Sequence, residues 1–235
     1  MNICKQVIAA AALSSAAGLV SAASVTLTPL TGLTGGTLAA TAVYRADLST
    51  AGLGSILSIS IRDNSSGLGG AAGQFSGFDL DAIKLSTTLC ADAACAAAAV
   101  GISVFDFIGG GTIFTPGAQR APADPKLFGT GPGGNTVDDT VATLGLFDGE
   151  STTAIPGAFG FISMGDDGIL DFNLTAAVST TGLYLYIGEV GDNGEAAASD
   201  IVVRDTPTVP EPSSLALVGL ALVGAAAAAR RRLQA

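Results

Sequence analysis

The sequence contains no histidine and no tryptophan, and it has few basic residues. Of 235 residues, 10 are Lys or Arg and 20 are Asp or Glu. Without histidine, neither a Ser-His-Asp nor a Cys-His catalytic site can form, and histidine-ligated zinc or haem is excluded as well. The sequence therefore lacks the residues on which the commonest hydrolytic and metal-dependent sites are built.

The basic residues are concentrated at the two ends of the chain. Lys5, Arg230, Arg231 and Arg232 lie in terminal segments without acids, so residues 24–212 hold 6 basic and 20 acidic groups, a net charge of −14. Contacts to phosphate groups need Lys and Arg. We therefore expect no binding of nucleic acid or anionic lipid by the central part.

The first 23 residues have the parts of a secretory signal peptide. Lys5 supplies the positive charge, an apolar run begins at Val7, and small residues at 21–23 offer a cleavage site. Cys4 precedes the apolar run, so a lipoprotein anchor is not expected. The sequence predicts an N-terminal signal helix that engages the secretion machinery and is removed by signal peptidase.

The C-terminus combines a proline motif, a short apolar segment and a cluster of arginines. A helix over residues 213–229 would reach about 25 Å, less than the ~30 Å core of a bilayer. Arginines after such a span hold that end in the cytoplasm, so the domain faces outward. We predict a short transmembrane helix that anchors the protein before processing. The residues of the pattern are Val209, Pro210, Glu211 and Pro212, followed after the helix by the membrane stop Arg230, Arg231 and Arg232.

This order of elements over residues 209–235 resembles the PEP-CTERM sorting signal. The resemblance implies recognition by an exosortase, a membrane transpeptidase-like enzyme, and processing near Pro210-Glu211-Pro212. It also implies a Gram-negative bacterium that makes exopolysaccharide, with delivery to the cell surface or the biofilm matrix. The predicted division is a signal peptide (1–23), an extracellular domain (24–207) and the sorting signal (208–235).

Between the two ends the pattern is that of short β-strands. In residues 55–62, Ile59 and Ile61 point to one face, with Ser58, Ser60 and Arg62 on the other. Residues 93–99 allow a helical turn, and the Gly- and Pro-rich residues 108–139 predict a long loop with one strand at 112–115. We predict an all-β antiparallel β-sandwich, jelly-roll-like. The predicted strands are residues 25–28, 39–45, 56–62, 78–86, 100–107, 140–147, 159–163, 169–174, 183–190 and 201–204.

Two groups of residues are candidates for further sites. Cys90 and Cys95 remain after leader removal, and an oxidising compartment favours a disulfide between them. Asp79 and Asp81 would share one strand face, where they serve either as calcium ligands or as ordinary solvated acids. Asn173 lies in an extended N-glycosylation sequon, but its place in a predicted strand hides it from a transferase.

Three functions stay open at this point. The leading hypothesis is a non-enzymatic, exosortase-processed protein of the surface or exopolysaccharide matrix, with no cofactor. The alternative is a calcium-stabilised domain that binds carbohydrate or another polymer. A glycan-cleaving enzyme is the third, since 20 acids always offer some carboxylate pair, but aromatic residues are only 6% of the chain.

Overall fold

The structure is a computed structural model that describes residues 20–36, 40–65, 67, 71–150, 157–191 and 194–208. The predicted transmembrane helix, and all of the predicted signal helix before residue 20, lie outside these residues. Across the described ranges no helix is both long and apolar enough to span a membrane. The strands there are β1 (Ala22–Val25), β2 (Thr28–Thr34), β3 (Thr41–Asp47), β4 (Ser55–Arg62), β5 (Asp79–Ser86), β6 (Thr112–Thr115), β7 (Ile162–Ser163), β8 (Ile169–Ser179), β9 (Tyr184–Val190) and β10 (Asp200–Arg204), and the short helices are α1 (Ala93–Ala98), α2 (Asp139–Ala142) and α3 (Glu195–Ala198).

The strands form two five-stranded sheets. The first sheet has the order β1-β10-β4-β8-β6 and the second has the order β2-β3-β9-β5-β7. Every pairing between these strands is antiparallel. The predicted antiparallel β-sandwich is confirmed, whereas the jelly-roll connectivity stays a prediction.

The main core lies between the two sheets and follows from period-two alternation. Ile59 and Ile61 of β4 are fully buried in it, as predicted, together with Phe172 of β8 from the same sheet. Leu185 and Ile187 of β9 meet them from the second sheet. Removal of these side chains from water is the main force that holds the sheets together.

The outer face of the second sheet is covered by another layer. Tyr186 of β9 packs there against α1 and Phe147, and Phe161 packs against Val190 at the end of the same strand. As a result β5 and β9 are buried on both faces, and only Lys84 and Tyr184 among their residues are partly exposed. The Gly- and Pro-rich residues 108–139, predicted as a long loop with one strand, contain β6 at the expected residues 112–115. They are followed by Phe147 and Phe161, which pack on the second sheet.

Two predicted strands are wrong. Residues 100–107 form no ladder, because they pass from one sheet to the other. The Ile102 N–H donates to the carbonyl of Leu85 in β5, while the carbonyl of Val104 accepts the N–H of Thr175 in β8. Residues 140–147 begin inside α2, where the Asp138 side chain accepts the backbone N–H of Thr140 and so caps the helix.

One predicted strand is misplaced. The strand expected at 25–28 covers the last residue of β1, a gap of two residues and the first residue of β2. β2 itself lies at the edge of the second sheet. Pro29 and Gly32 obscured β2 in the sequence, and a proline fits an edge strand because one side of that strand needs no ladder partner.

The fold makes a specific prediction for Tyr186. Its buried hydroxyl accepts the N–H of Cys90 at 2.9 Å and donates to the carbonyl of Thr88 at 2.6 Å. Tyr186→Phe leaves both backbone groups without a partner, so we expect a loss of about 1–3 kcal/mol in the free energy of unfolding, measured by urea denaturation. Tyr184→Phe, on the same face of β9 but partly exposed, is the control and should cost less than about 0.5 kcal/mol. Equal losses in the two variants would contradict this role of the Tyr186 hydroxyl.

Candidate functional site

The chain leaves the sandwich at the end of β10 and turns onto the outer face of the first sheet. We call residues 205–208 the stem. In the strand register, Arg204 of β10 lies beside Ser58 of β4, and Ser58 lies beside Asn173 of β8. Both Ser58 and Asn173 point outward, because their neighbours Ile59 and Phe172 point into the core. The stem therefore crosses the sheet from β10 over β4 to β8.

Two side chains, here called the clamp, hold the stem on this face. The Asn173 amide donates from Nδ2 to the carbonyl of Thr208 at 2.8 Å and accepts the N–H of Thr208 at Oδ1, at 2.7 Å. Ser58 Oγ donates to the carbonyl of Thr206 at 2.7 Å and accepts from the Thr208 hydroxyl at 3.3 Å. The Asn173 side chain thus satisfies both backbone groups of Thr208, as a neighbouring strand would.

The sequence of the stem suits this path. Pro207 has no N–H to satisfy and a fixed φ, and it favours an extended conformation at Thr206 before it. Pro207 is exposed, while Thr206 and Thr208 on either side are half-buried against the sheet. The carbonyl of Thr206 and both backbone groups of Thr208 are thereby turned toward the clamp.

The start of the stem also meets the N-terminal end of the described chain. The Asp205 N–H donates to the Ser21 carbonyl at 3.2 Å, and the Ser21 N–H donates to Asp205 Oδ1 at 3.0 Å. Ser21 belongs to the predicted leader, whose last two residues begin β1. The leader junction and the stem therefore leave the domain side by side, at the same end of the first sheet.

The predicted motif residues follow the stem directly but lie outside the described residues, as do the three terminal arginines. Sequence reasoning missed Ser58 as a site residue and noticed Asn173 only as a glycosylation sequon. Asn173 is half-buried and its amide is engaged by Thr208. No local signal marks the clamp, since the contact to Thr208 joins residues 35 apart and that to Thr206 joins residues 148 apart.

The predicted disulfide is present. Cys90 and Cys95 are bonded, with Cα atoms 5.4 Å apart, at the start of α1. Asp92 caps this helix by accepting the Cys95 N–H, and Lys84 Nζ donates to the carbonyls of Ala96, Ala97 and Ala99 at its other end. The disulfide loop and α1 thus form a fixed cover over the second sheet.

Asp79 and Asp81 share the outer face of β5, as the sequence predicts, but each has its own protein partners. Asp79 accepts a hydrogen bond from Ser163, and Asp81 accepts from Thr41 at 2.6 Å and from the N–H of Gly149 at 2.9 Å. Burial raises the pKa of Asp79 well above its usual range and raises the pKa of Asp81 to about 7. Among the described residues no group of three or more metal-ligating side chains is found. Calcium binding at this pair stays a prediction.

Comparison with known proteins identifies the segment that follows the clamp. A family model described as "PEP-CTERM protein-sorting motif" matches residues 208–232. Neither the curated proteins nor the solved structures give a match to this chain. The chain therefore carries a PEP-CTERM sorting motif, which marks a protein for export and for processing by an exosortase. The match begins at Thr208, the residue that Asn173 holds.

The buried Asp81 predicts a particular dependence of stability on pH. Its pKa is about 7 in the folded protein against 3.8 for an ordinary Asp, so the folded state binds more protons between these values. The free energy of unfolding should therefore fall as the pH rises from about 4 to about 7, by up to about 4 kcal/mol from this residue. Asp81→Asn should flatten this dependence in urea titrations repeated across the range. The exposed Asp167→Asn is the control, and a pH profile unchanged by Asp81→Asn would contradict the assignment.

The calcium prediction is tested by thermal melts of the protein with and without calcium. A bound ion stabilises the folded state by mass action, so saturating calcium should raise the melting temperature and Asp79→Asn should remove that rise. An identical melting temperature in both conditions would dismiss calcium at Asp79 and Asp81.

Proposed function

We propose that this PEP-CTERM protein is a non-enzymatic surface protein whose β-sandwich is the cargo delivered by exosortase processing. The leader directs export, and the apolar segment holds the precursor in the membrane until the chain is cut near Pro210-Glu211-Pro212. The released domain then resides at the cell surface or in the exopolysaccharide matrix.

One observation carries this proposal: the folded domain continues up to the residue at which the sorting motif begins. The clamp fixes Thr208, and the family match starts at Thr208. No spare linker separates the two parts of the chain. We therefore interpret the sandwich as the cargo and the motif as its signal, joined directly at Thr208.

The buried carboxylates support a structural role for the domain. Glu189 accepts the N–H groups of Glu195 and Ala196 and so holds the start of α3. Asp63 accepts the N–H groups of Ser65 and Asp167, which orders the loops after β4 and before β8. Acids that shape loops in this way are occupied by the backbone, and a carboxylate pair that cleaves a sugar must instead face its substrate.

The proposal is tested by replacing Pro210, Glu211 and Pro212 with alanine and measuring intact mass in membrane and supernatant fractions. Wild-type protein should have lost the leader and everything after the motif, while the variant should keep residues 213–235 and remain in the membrane. Any mass above that of the trimmed wild-type chain would report an attached anchor or glycan.

Pro132→Ala is the control, because Pro132 is an exposed proline of the central domain and lies far from the motif in sequence. It should be trimmed like the wild type. Removal of the tail from the triple-alanine variant at the wild-type rate would show that the motif does not direct processing.

A further inference from the structure

We propose that Ser58 and Asn173 form an intramolecular peptide-binding site, and that this site competes with the processing enzyme for the start of the sorting motif. The ligand is an extended peptide segment, the stem at residues 205–208 of this chain. The inference rests on the proposed function in one respect, namely that the motif is cut. The docking itself rests only on the contacts of the described residues.

The competition follows from the groups that are engaged. Enzymes that bind an extended peptide commonly pair with its backbone N–H and C=O groups, as an added strand does. At Thr208 both of these groups are already bonded to Asn173, at 2.7 and 2.8 Å. Since Thr208 is also the first residue of the matched motif, a cleft that pairs with this residue must first displace Asn173.

The short length of chain between the clamp and the apolar segment also restricts access of the enzyme to the motif. An extended chain spans at most about 3.6 Å per residue. The five residues from Thr208 to the apolar segment that begins at Ser213 therefore keep the clamp within ~18 Å of the membrane entry. Release of the stem back to Arg204 would widen this gap to ~32 Å. The docked stem thus leaves little room for an enzyme to close around Pro210-Glu211-Pro212.

The hydrogen bonds of the docked stem are few enough for it to detach and numerous enough to shift the docking equilibrium. The stem residues Thr206 and Thr208 are only half-buried, and their contacts to the clamp are four hydrogen bonds. One such bond is worth roughly two- to tenfold in an equilibrium constant. Asn173→Ala removes two bonds, so it should lower the docking constant by roughly tenfold or more.

The same two strands offer matched controls. Ser60 and Asp171 form the next outward-facing pair along β4 and β8, directly beside each other in the register. On this sheet face the described stem makes hydrogen bonds to Ser58 and Asn173 and none to Ser60 or Asp171, while its first residue, Asp205, bonds to Ser21. Ser58→Ala and Ser60→Ala are thus the same change on the same strand face, with and without contact to the stem.

The first measurement is hydrogen exchange on the full chain, made in a host without exosortase and purified in detergent. The Thr208 amide should be protected in the wild type. Protection should be lost in Asn173→Ala, which removes the acceptor of that amide, and reduced in Ser58→Ala, which only weakens the docking. Ser60→Ala and Asp171→Ala should match the wild type, and all variants should melt near the same temperature. Asn173→Asp keeps the acceptor but loses the donor, so its protection should be intermediate.

The second measurement is the rate of tail removal in the native cells, followed by pulse–chase and intact mass. We expect Asn173→Ala and the double variant with Ser58→Ala to lose the tail several-fold faster than the wild type, with the two controls unchanged. Asn173→Asp should again be intermediate. A gradation of rate that follows the loss of exchange protection is not expected from a merely structural residue.

Two results would overturn the proposal. Fast exchange of the Thr208 amide in the wild type would show that the stem is not docked. Processing of Asn173→Ala at the wild-type rate or more slowly, despite lost protection, would show that docking does not compete with the enzyme. If no chain loses its tail, the wild type included, the proposed function fails instead, and the exchange data still decide whether the docking site exists.

Discussion

Burial of β5 and β9 on both faces is the constraint on which the rest of the structure depends. A sheet with two covered faces needs a second layer outside the sandwich, and α1, the disulfide loop, Phe147 and Phe161 contribute to it. Polar groups under that layer must find partners, because water cannot reach them. The specific hydrogen bonds of the Tyr186 hydroxyl, Asp79 and Asp81 follow from this requirement.

The first sheet differs from the second, because within the described ranges its outer face is not covered by a layer of apolar side chains. Around the clamp, β4 and β8 place apolar residues such as Ile59 and Phe172 in the core and polar residues such as Ser58 and Asn173 on the outer face, where the stem lies. A polar sheet face can receive a peptide through side chains such as Ser58 and Asn173 at little cost in buried polar groups. The second sheet is closed by the chain itself, while the first carries the exit of the sorting tail.

Features that depend on a few neighbouring residues could be predicted from the sequence, and features that depend on contacts between distant residues could not. The proline motif with its apolar segment and arginines, the Cys90–Cys95 pair, and the alternation of Ile59 and Ile61 are each readable within a few residues. Residues 100–107 alternate equally well yet form no strand, because pairing depends on which distant edges remain open. The clamp was unreadable for the same reason, since Ser58 and Asn173 become neighbours only through the register of β4 and β8.

The sideways path of the stem also decides how the domain would respond to tension. A pull transmitted from residue 209 reaches the Thr208–Asn173 contacts first and the Ser58–Thr206 contact next, one after the other. The two hydrogen bonds between Asp205 and Ser21 must break next, and only then does the force arrive at Arg204 and the ladders that join β10 to β1 and β4. Release of the stem can thus lengthen the tether by about four residues, or ~14 Å, before the ladders of β10 bear the load.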